Sequence, residues 1–170
     1  MSGHAAHDAP DARGGAVDRR PVVVKLGGTT VAEQDQLLDE IAALARERPV
    51  VVVHGGGNRV TEWLGRLGIA SRFEHGLRVT DAPALEAAAA VLRGVINVEL
   101  VAALRGRGVD AVGLSGVDGG IFGGERVPGL GYVARVTGIR RPLLDQLLAS
   151  GRVPVVAPLA LDERGALCTV

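Results

Sequence analysis

Three short stretches of this sequence combine residue types that suit anion chemistry. In VVVKLGGTT, Lys25 stands two positions before the pair Gly27 and Gly28, and it is the only lysine among nineteen basic residues. In VVVHGGG, His54 is followed directly by Gly55, Gly56 and Gly57, and in HGLRVTDA, Arg78 stands between a glycine turn and Thr80/Asp81. Glycine lets a chain turn sharply and lets a ligand approach the backbone N–H groups without a Cβ in the way. Beside a helix N-terminus such groups favour anions. Lysine offers a compact point charge with three rotatable donors, whereas arginine spreads its charge over a plane. Phosphoryl transfer asks for positioning and charge neutralisation more than covalent chemistry, and a mobile ammonium at Lys25 would supply that. The Arg78 guanidinium would fork onto a carboxylate.

Each feature also has a plainly structural reading. Tight strand-to-helix turns use glycine for geometry, and a strand-end lysine can reach out to water. A histidine that closes a strand is more often a hydrogen-bonded structural group than a base, and Arg78 could equally form a surface ion pair. Two familiar phosphate loops are excluded by spacing: the lysine precedes its glycines, so no G-x-x-x-x-G-K-[ST] loop exists, and neither glycine cluster reads G-x-G-x-x-G.

The elements that would carry these residues follow from hydrophobic pattern. Val22 to Leu26 and Val50 to Val53 are near-continuous apolar runs that read as strands buried on both faces. Between them Leu37, Leu38, Ile41, Leu44 and Ala45 recur at helical spacing, which makes a β-α-β unit with a right-handed crossover. Val60, Trp63, Leu64 and Leu67 mark a second helix ended by Gly68, and an Ala-rich helix spans about Pro83 to Arg105, with Gly94 placed to bend it. Ala111 to Leu114 and Val153 to Ala157 read as further core strands, separated by a short helix carrying Leu143, Leu144, Leu147 and Leu148. Residues 119–137, rich in Gly, read as a hairpin outside the core, either a mobile flap or a structural one. The expected fold class is therefore α/β, a mainly parallel sheet with helices on both faces, over residues 21–170. In such sheets ligands collect at the carboxyl ends of the strands, where both glycine clusters lie.

Composition narrows the function classes. Nineteen acidic residues balance nineteen basic ones, which argues against nucleic acid or an anionic membrane as the main partner. Cys168 is the only cysteine, so no intramolecular disulfide or thiolate-rich metal site is expected, and a reducing cytoplasmic setting fits. No apolar run approaches the roughly eighteen residues that a membrane helix requires, so a soluble protein is expected. Residues 1–20 read as a disordered tail, and its His4, His7 and Asp8 are not expected to fix a metal.

Together, VVVKLGGTT, VVVHGGGNRVTEWL, GLRVTD, VLRGVINVELV, AVGLSGVDGG, LGYVARV and GRVPVVAPLALDERGALC resemble, in order, the amino-acid kinase family, and within it the acetylglutamate kinases. The resemblance implies transfer of a phosphoryl group from ATP with Mg²⁺ to the side-chain carboxylate of N-acetyl-L-glutamate, a step of arginine biosynthesis. It implies that Lys25 stabilises the transferring group, that Gly27 and Gly28 contact phosphate oxygens, that Gly56 and Gly57 present N–H groups to substrate, and that Arg78 holds the α-carboxylate. It also implies a substrate lid in the hairpin after Gly119 and a homodimer formed along the long helix.

The sequence departs from that pattern at its end. Thr169 stands where the family has the first Asn of an Asn-x-Asn-x-Asp segment, and Val170 is the last residue. The resemblance thus covers the substrate half, without the family's second catalytic lysine or its ATP-binding half, and little kinase activity is expected of this chain alone. Exposed apolar surface and self-association are expected as well. Without a helix in residues 1–20, an arginine-sensitive hexamer is not expected. Two further readings stay open: a kinase lobe for a related carboxylate such as carrier-bound aminoadipate, and a non-catalytic module that binds N-acetyl-L-glutamate or a partner kinase.

Overall fold

A computed structural model describes residues 20–27 and 31–170. The expected tail, Arg20 apart, and Gly28 lie outside the described residues. Along the chain, β1 (Val22–Leu26) leads into α1 (Val31–Glu47), β2 (Val50–His54) and α2 (Gly57–Arg66). A small hairpin of β3 (Arg72–Glu74) and β4 (Leu77–Val79) precedes one long helical rod. The rod consists of α3 (Ala82–Ala89), a π-helical stretch (Ala90–Ile96) and α4 (Asn97–Gly106). Then follow β5 (Ala111–Ser115), β6 (Phe122–Arg126), β7 (Ala134–Ile139), α5 (Pro142–Ala149), β8 (Val153–Ala157), β9 (Leu159–Leu161) and β10 (Leu167–Thr169).

Among the described residues the main sheet has the order β1-β2-β8-β5, with every pairing parallel. A second sheet, β10-β9-β6-β7, is mainly antiparallel. Side chains alternate across a strand, so Val50, Val52 and Val155 join a core built with Leu38 and Ile41 of α1, Leu64 of α2, and Val91, Leu100 and Leu104 of the rod. The opposite face carries Val51, Val53 and Val156, and α5 approaches it through Leu144 and Leu148. Helices therefore lie on both faces of a mainly parallel sheet, but unequally.

That inequality corrects the reading of β1. It is an edge strand whose burial alternates, with Val23 63% exposed, while β2 beside it is buried on both faces. The difference comes from position, because β2 has strands on either side and β1 has β2 alone among the described residues.

The rod also differs from a plain helix. Its buried residues run Ala84, Ala87, Ala88, Val91 and Leu92, then step to Ile96 and Asn97 before Leu100 and Leu104. The step from Val91/Leu92 to Ile96/Asn97 is five residues, the extra residue of an i→i+5 turn. At Gly94, where a bend is expected, the helix instead has a π-helical winding that includes it. By length and mean hydropathy the rod, Ala82–Gly106, would pass for a membrane span, so the statement that nothing reaches that length needs this correction. Its buried stripe packs on the parallel sheet, with 39% of the apolar stretch buried inside the molecule. Asp81 caps its start, accepting a hydrogen bond from the Ala84 N–H at 2.9 Å.

The hairpin expected over residues 119–137 is β6 and β7, and part of it is core after all: Ile121, Leu130, Val133 and Ala134 are buried. Its tip is fastened to the end of β4. The Thr80 N–H donates to Leu130 O at 2.9 Å and the Tyr132 N–H donates to Thr80 O at 2.7 Å.

Candidate active site

The two loops at the carboxyl edge of the sheet are joined by backbone: the Gly55 N–H donates to Leu26 O at 3.1 Å. Strand register puts Lys25 opposite Val53 and Leu26 opposite His54. Lys25, Gly27 and the triple glycine therefore end at one sheet edge. Lys25 and Gly27 are both exposed there.

The triple glycine turns directly into α2, with Gly56 as its N-cap residue and Gly57 as its first helical one. Gly56 has φ 156°, and a Cβ there would stand 2.3 Å from Ile96 Cδ1 of the π-helical stretch. Glycine is needed here for both reasons. The first N–H groups of a helix have no intrahelical partner. Gly56 brings no side chain to cap those of α2, and no acidic residue lies in its first turn. That end is open to an anion.

Gly55, Gly56, Gly57 and Arg78 line a cavity of about 200 Å³ whose other walls include Val60, Leu77, Ala88, Leu92, Val133 and Pro158. Thr169 and Val170 close it on the β10 side. The structure thus brings together three of the residues singled out from the sequence, Gly56, Gly57 and Arg78. Lys25 and Gly27 stand at the same edge but do not line this cavity, and Gly28 is not described.

Arg78 is half-buried on β4 and held from several sides. Its Nη1 donates to Ser71 Oγ at 2.7 Å, and its Nη2 donates to Thr61 Oγ1 at 2.7 Å and to Gly57 O at 3.1 Å. The Phe73 ring stacks on the guanidinium at 4.7 Å. Burial lowers its pKa from the ordinary arginine value, although arginine stays charged. Among the described residues no carboxylate pairs with it, so the surface ion pair is not what forms. Instead the cation is held by neutral acceptors and by the Phe73 ring.

Behind the glycine loop His54 is the hydrogen-bonded group that the sequence favoured over a base, whereas its partners Asn97 and Arg93 were missed. His54 is 5% exposed, with Nδ1 2.8 Å from Gly55 O and Nε2 3.1 Å from Asn97 Nδ2. Burial first, and the charge of Arg93 next, lower its pKa, while the Gly55 carbonyl opposes them. Asn97 is fully buried on the rod, and Arg93 reaches both Asn97 Oδ1 at 3.1 Å and Gly113 O at 3.0 Å. The available signal was an asparagine inside VLRGVINVELV, a polar side chain set in an apolar helix. Ser71, Thr61 and Phe73 gave no sequence signal, because only the fold brings them to Arg78.

Comparison with known proteins places this arrangement. The sequence profile of the amino acid kinase family matches residues 20–170. The chain is 47% identical over 147 residues to acetylglutamate kinase of Rubrobacter xylanophilus, covering 86% of this chain and 58% of that protein. To acetylglutamate kinase of Methanopyrus kandleri it is 43% identical, covering 87% of this chain and 61% of that protein. The chain therefore spans a little under two thirds of the length of these relatives. In fold it is similar to smu.665 of Streptococcus mutans, with TM-score 0.76 and 21% identity over 88% of this chain and 62% of that one. It is likewise similar to N-acetylglutamate synthase of Neisseria gonorrhoeae complexed with coenzyme A and N-acetyl-glutamate, with TM-score 0.71 and 21% identity over 88% of this chain and 36% of that one. The parallel sheet, the glycine edge and the matched sequence agree: the chain belongs to the amino acid kinase family.

Proposed function

We propose that this chain is the acceptor-binding part of an acetylglutamate kinase, a cytoplasmic enzyme that phosphorylates N-acetyl-L-glutamate. The observation that carries the reading is the cavity itself, where one oriented guanidinium and a glycine-lined helix start lie side by side and share apolar walls. An acylated amino dicarboxylate has matching parts. Its α-carboxylate pairs with Arg78, its side-chain carboxylate meets the N–H groups around Gly56 and Gly57, and its methyl and methylene groups lie against Val60, Ala88 and Leu92. A free ammonium has no side-chain carboxylate to meet among the residues lining that cavity. Identity of 47% and 43% to acetylglutamate kinases supports the same acceptor.

ATP with Mg²⁺ enters as substrate. Lys25 and Gly27, exposed at the sheet edge, are the chain's described contributions toward its terminal phosphate, with Lys25 neutralising charge on the transferring group. The described residues hold no group of three or more His, Cys, Asp or Glu that would keep a metal, so the ion would come with the nucleotide.

The test is a melting curve with N-acetyl-L-glutamate and, separately, with L-glutamate. A ligand that binds only the folded state stabilises it, by about 2.7 kcal/mol at a hundred times Kd. A higher midpoint with the acetylated compound alone is expected. No shift, or an equal shift with both, would sink the reading.

A further inference from the structure

We propose that Asn97 locks His54 in one tautomer and thereby fixes the Gly55–Gly57 loop in the shape that receives the acceptor, which makes His54 and Asn97 positioning residues of the site. The proposal builds on the acceptor-site reading, but its structural part stands on the geometry alone.

A primary amide buried in an apolar helix must find partners for its donors and acceptor. The Asn97 Nδ2 lies 2.9 Å from Val155 O and 3.3 Å from Leu114 O. Carbonyls only accept, so the NH₂ end of the amide is the end that faces β8 and β5; turned round, Oδ1 would meet two carbonyl oxygens. The opposite end agrees, since Oδ1 accepts from Arg93 Nη1 at 3.1 Å. With its orientation settled, the same Nδ2 faces His54 Nε2 at 3.1 Å; the two amide hydrogens are shared among three acceptors, and because an amide nitrogen does not accept, Nε2 is the unprotonated, accepting nitrogen. The proton then belongs on Nδ1, which donates to Gly55 O at 2.8 Å. Two strand carbonyls thus determine, through Asn97, which imidazole nitrogen holds the loop.

The loop is gripped from the rod as well. The wide π-helical turn brings Ile96 and Asn97 to the sheet together, and Ile96 and Leu92 fill the space that a side chain at Gly56 would need. Gly113 of β5 makes room for the amide, because a Cβ there would stand 2.3 Å from Asn97 Oδ1. Arg93 is the charged group that acts on the imidazole. Behind it Asp118 stands 4.0 Å from Arg93 Nε and accepts from the Ser115 N–H and Oγ. On the other side β1 presents Leu26. A proton added at Nε2 would confront the amide N–H and the nearby guanidinium, so the neutral form is the one this pocket holds.

The experiment combines imidazole nitrogen NMR with calorimetric titration of N-acetyl-L-glutamate, using the whole chain. Wild type should show a neutral His54 protonated on Nδ1 at pH 6.5, the ordinary histidine value. In His54→Asn the amide nitrogen takes the place of Nδ1 and can still donate to Gly55 O, whereas His54→Gln extends toward Asn97 and cannot. His54→Asn should keep the affinity within about threefold, and His54→Gln should lose about tenfold or more. Asn97→Asp, which removes the donor facing Nε2, should move the proton to Nε2 and lose affinity likewise. A wild-type His54 protonated on Nε2, or equal losses in the Asn and Gln variants, would overturn the proposal. If the wild-type chain binds no N-acetyl-L-glutamate, the acceptor reading fails separately, and the Gly56 and Gly57 amide signals decide. Signals kept in His54→Asn and displaced in His54→Gln support the lock, and equal displacement in both refutes it. Should Asn97→Asp not fold, the two His54 variants carry the same decision.

Discussion

Arg78 is aimed by groups that a lysine could not satisfy together. Its contacts to Ser71, Thr61 and Gly57 O diverge from one plane, and that plane also stacks on Phe73. Arg78→Lys keeps the charge and loses the fork, so N-acetyl-L-glutamate binding should weaken by about 1.5–3 kcal/mol, with a melting midpoint close to wild type. Calorimetry beside a melting curve checks both halves. His54 gives a pH prediction. Its native pKa lies below the unfolded 6.5, so the unfolded chain takes up the proton first. The stability is therefore complete above pH 6.5 and declines as pH falls from there toward the native value. Melting midpoints between pH 7.5 and 5 should show that decline, and His54→Asn should flatten it. Arg78, Gly56 and Gly57 were legible in the sequence because glycine clusters and a lone arginine after a turn are local patterns. Asn97 was not, since at the usual 3.6-residue period it falls off the buried stripe and only the π-helical turn brings it inward.

At the level of elements, the site depends on two fastenings. One is the close approach of the triple glycine to the rod. Gly56→Ala would drive a methyl into Ile96 at a φ that side chains rarely adopt, which should cost about 1–3 kcal/mol and shift the start of α2. A lower denaturation midpoint with unchanged m-value is the expected result. The other is the hairpin tip, where Gly131 has φ 71° and a Cβ would stand 2.2 Å from Thr80 O. Gly131→Ala should free the tip from Thr80, visible as faster amide exchange at Thr80 and Tyr132, whose N–H groups form the fastening. Slow exchange retained at both would show that the tip is held by something else. Strand and helix order was readable from apolar runs, and β8 matches its expected span, Val153 to Ala157. The short β3–β4 and β9–β10 hairpins were not foreseen. Strands of three residues carry too little alternation to be seen, and β3–β4 is set by His75 and Gly76 in positive φ.

For the molecule as a whole, the unequal covering of the main sheet is the feature with the largest consequence. One face is packed by α1, α2 and the rod, whereas on the other α5 leaves a groove of about 300 Å³ between Val23, Val51, Val53, Ile139, Leu144 and Leu148. Val23 is 63% and Ile139 60% exposed, and β1 is an edge whose far side has no partner among the described residues. Composition could not foretell this, since 47% hydrophobic residues and zero net charge say that a core forms but not which face stays bare. VVV at residues 22–24 and VVVV at 50–53 read alike, and only sheet order makes one an edge and the other a centre. An apolar face beside an open strand edge favours contact between copies, and a near-zero net charge offers little repulsion against it. The chain should therefore show concentration-dependent association in sedimentation velocity and bind an apolar fluorescent dye while still melting cooperatively. Val23→Lys with Ile139→Lys places charge on the groove and the edge, away from the Arg78 cavity. That double variant should sediment as a single smaller species at concentrations where wild type associates, with its response to N-acetyl-L-glutamate retained. Association unchanged by the two lysines would move the contact to another surface, with the outward Val98 of the rod, 52% exposed, as the next one to alter.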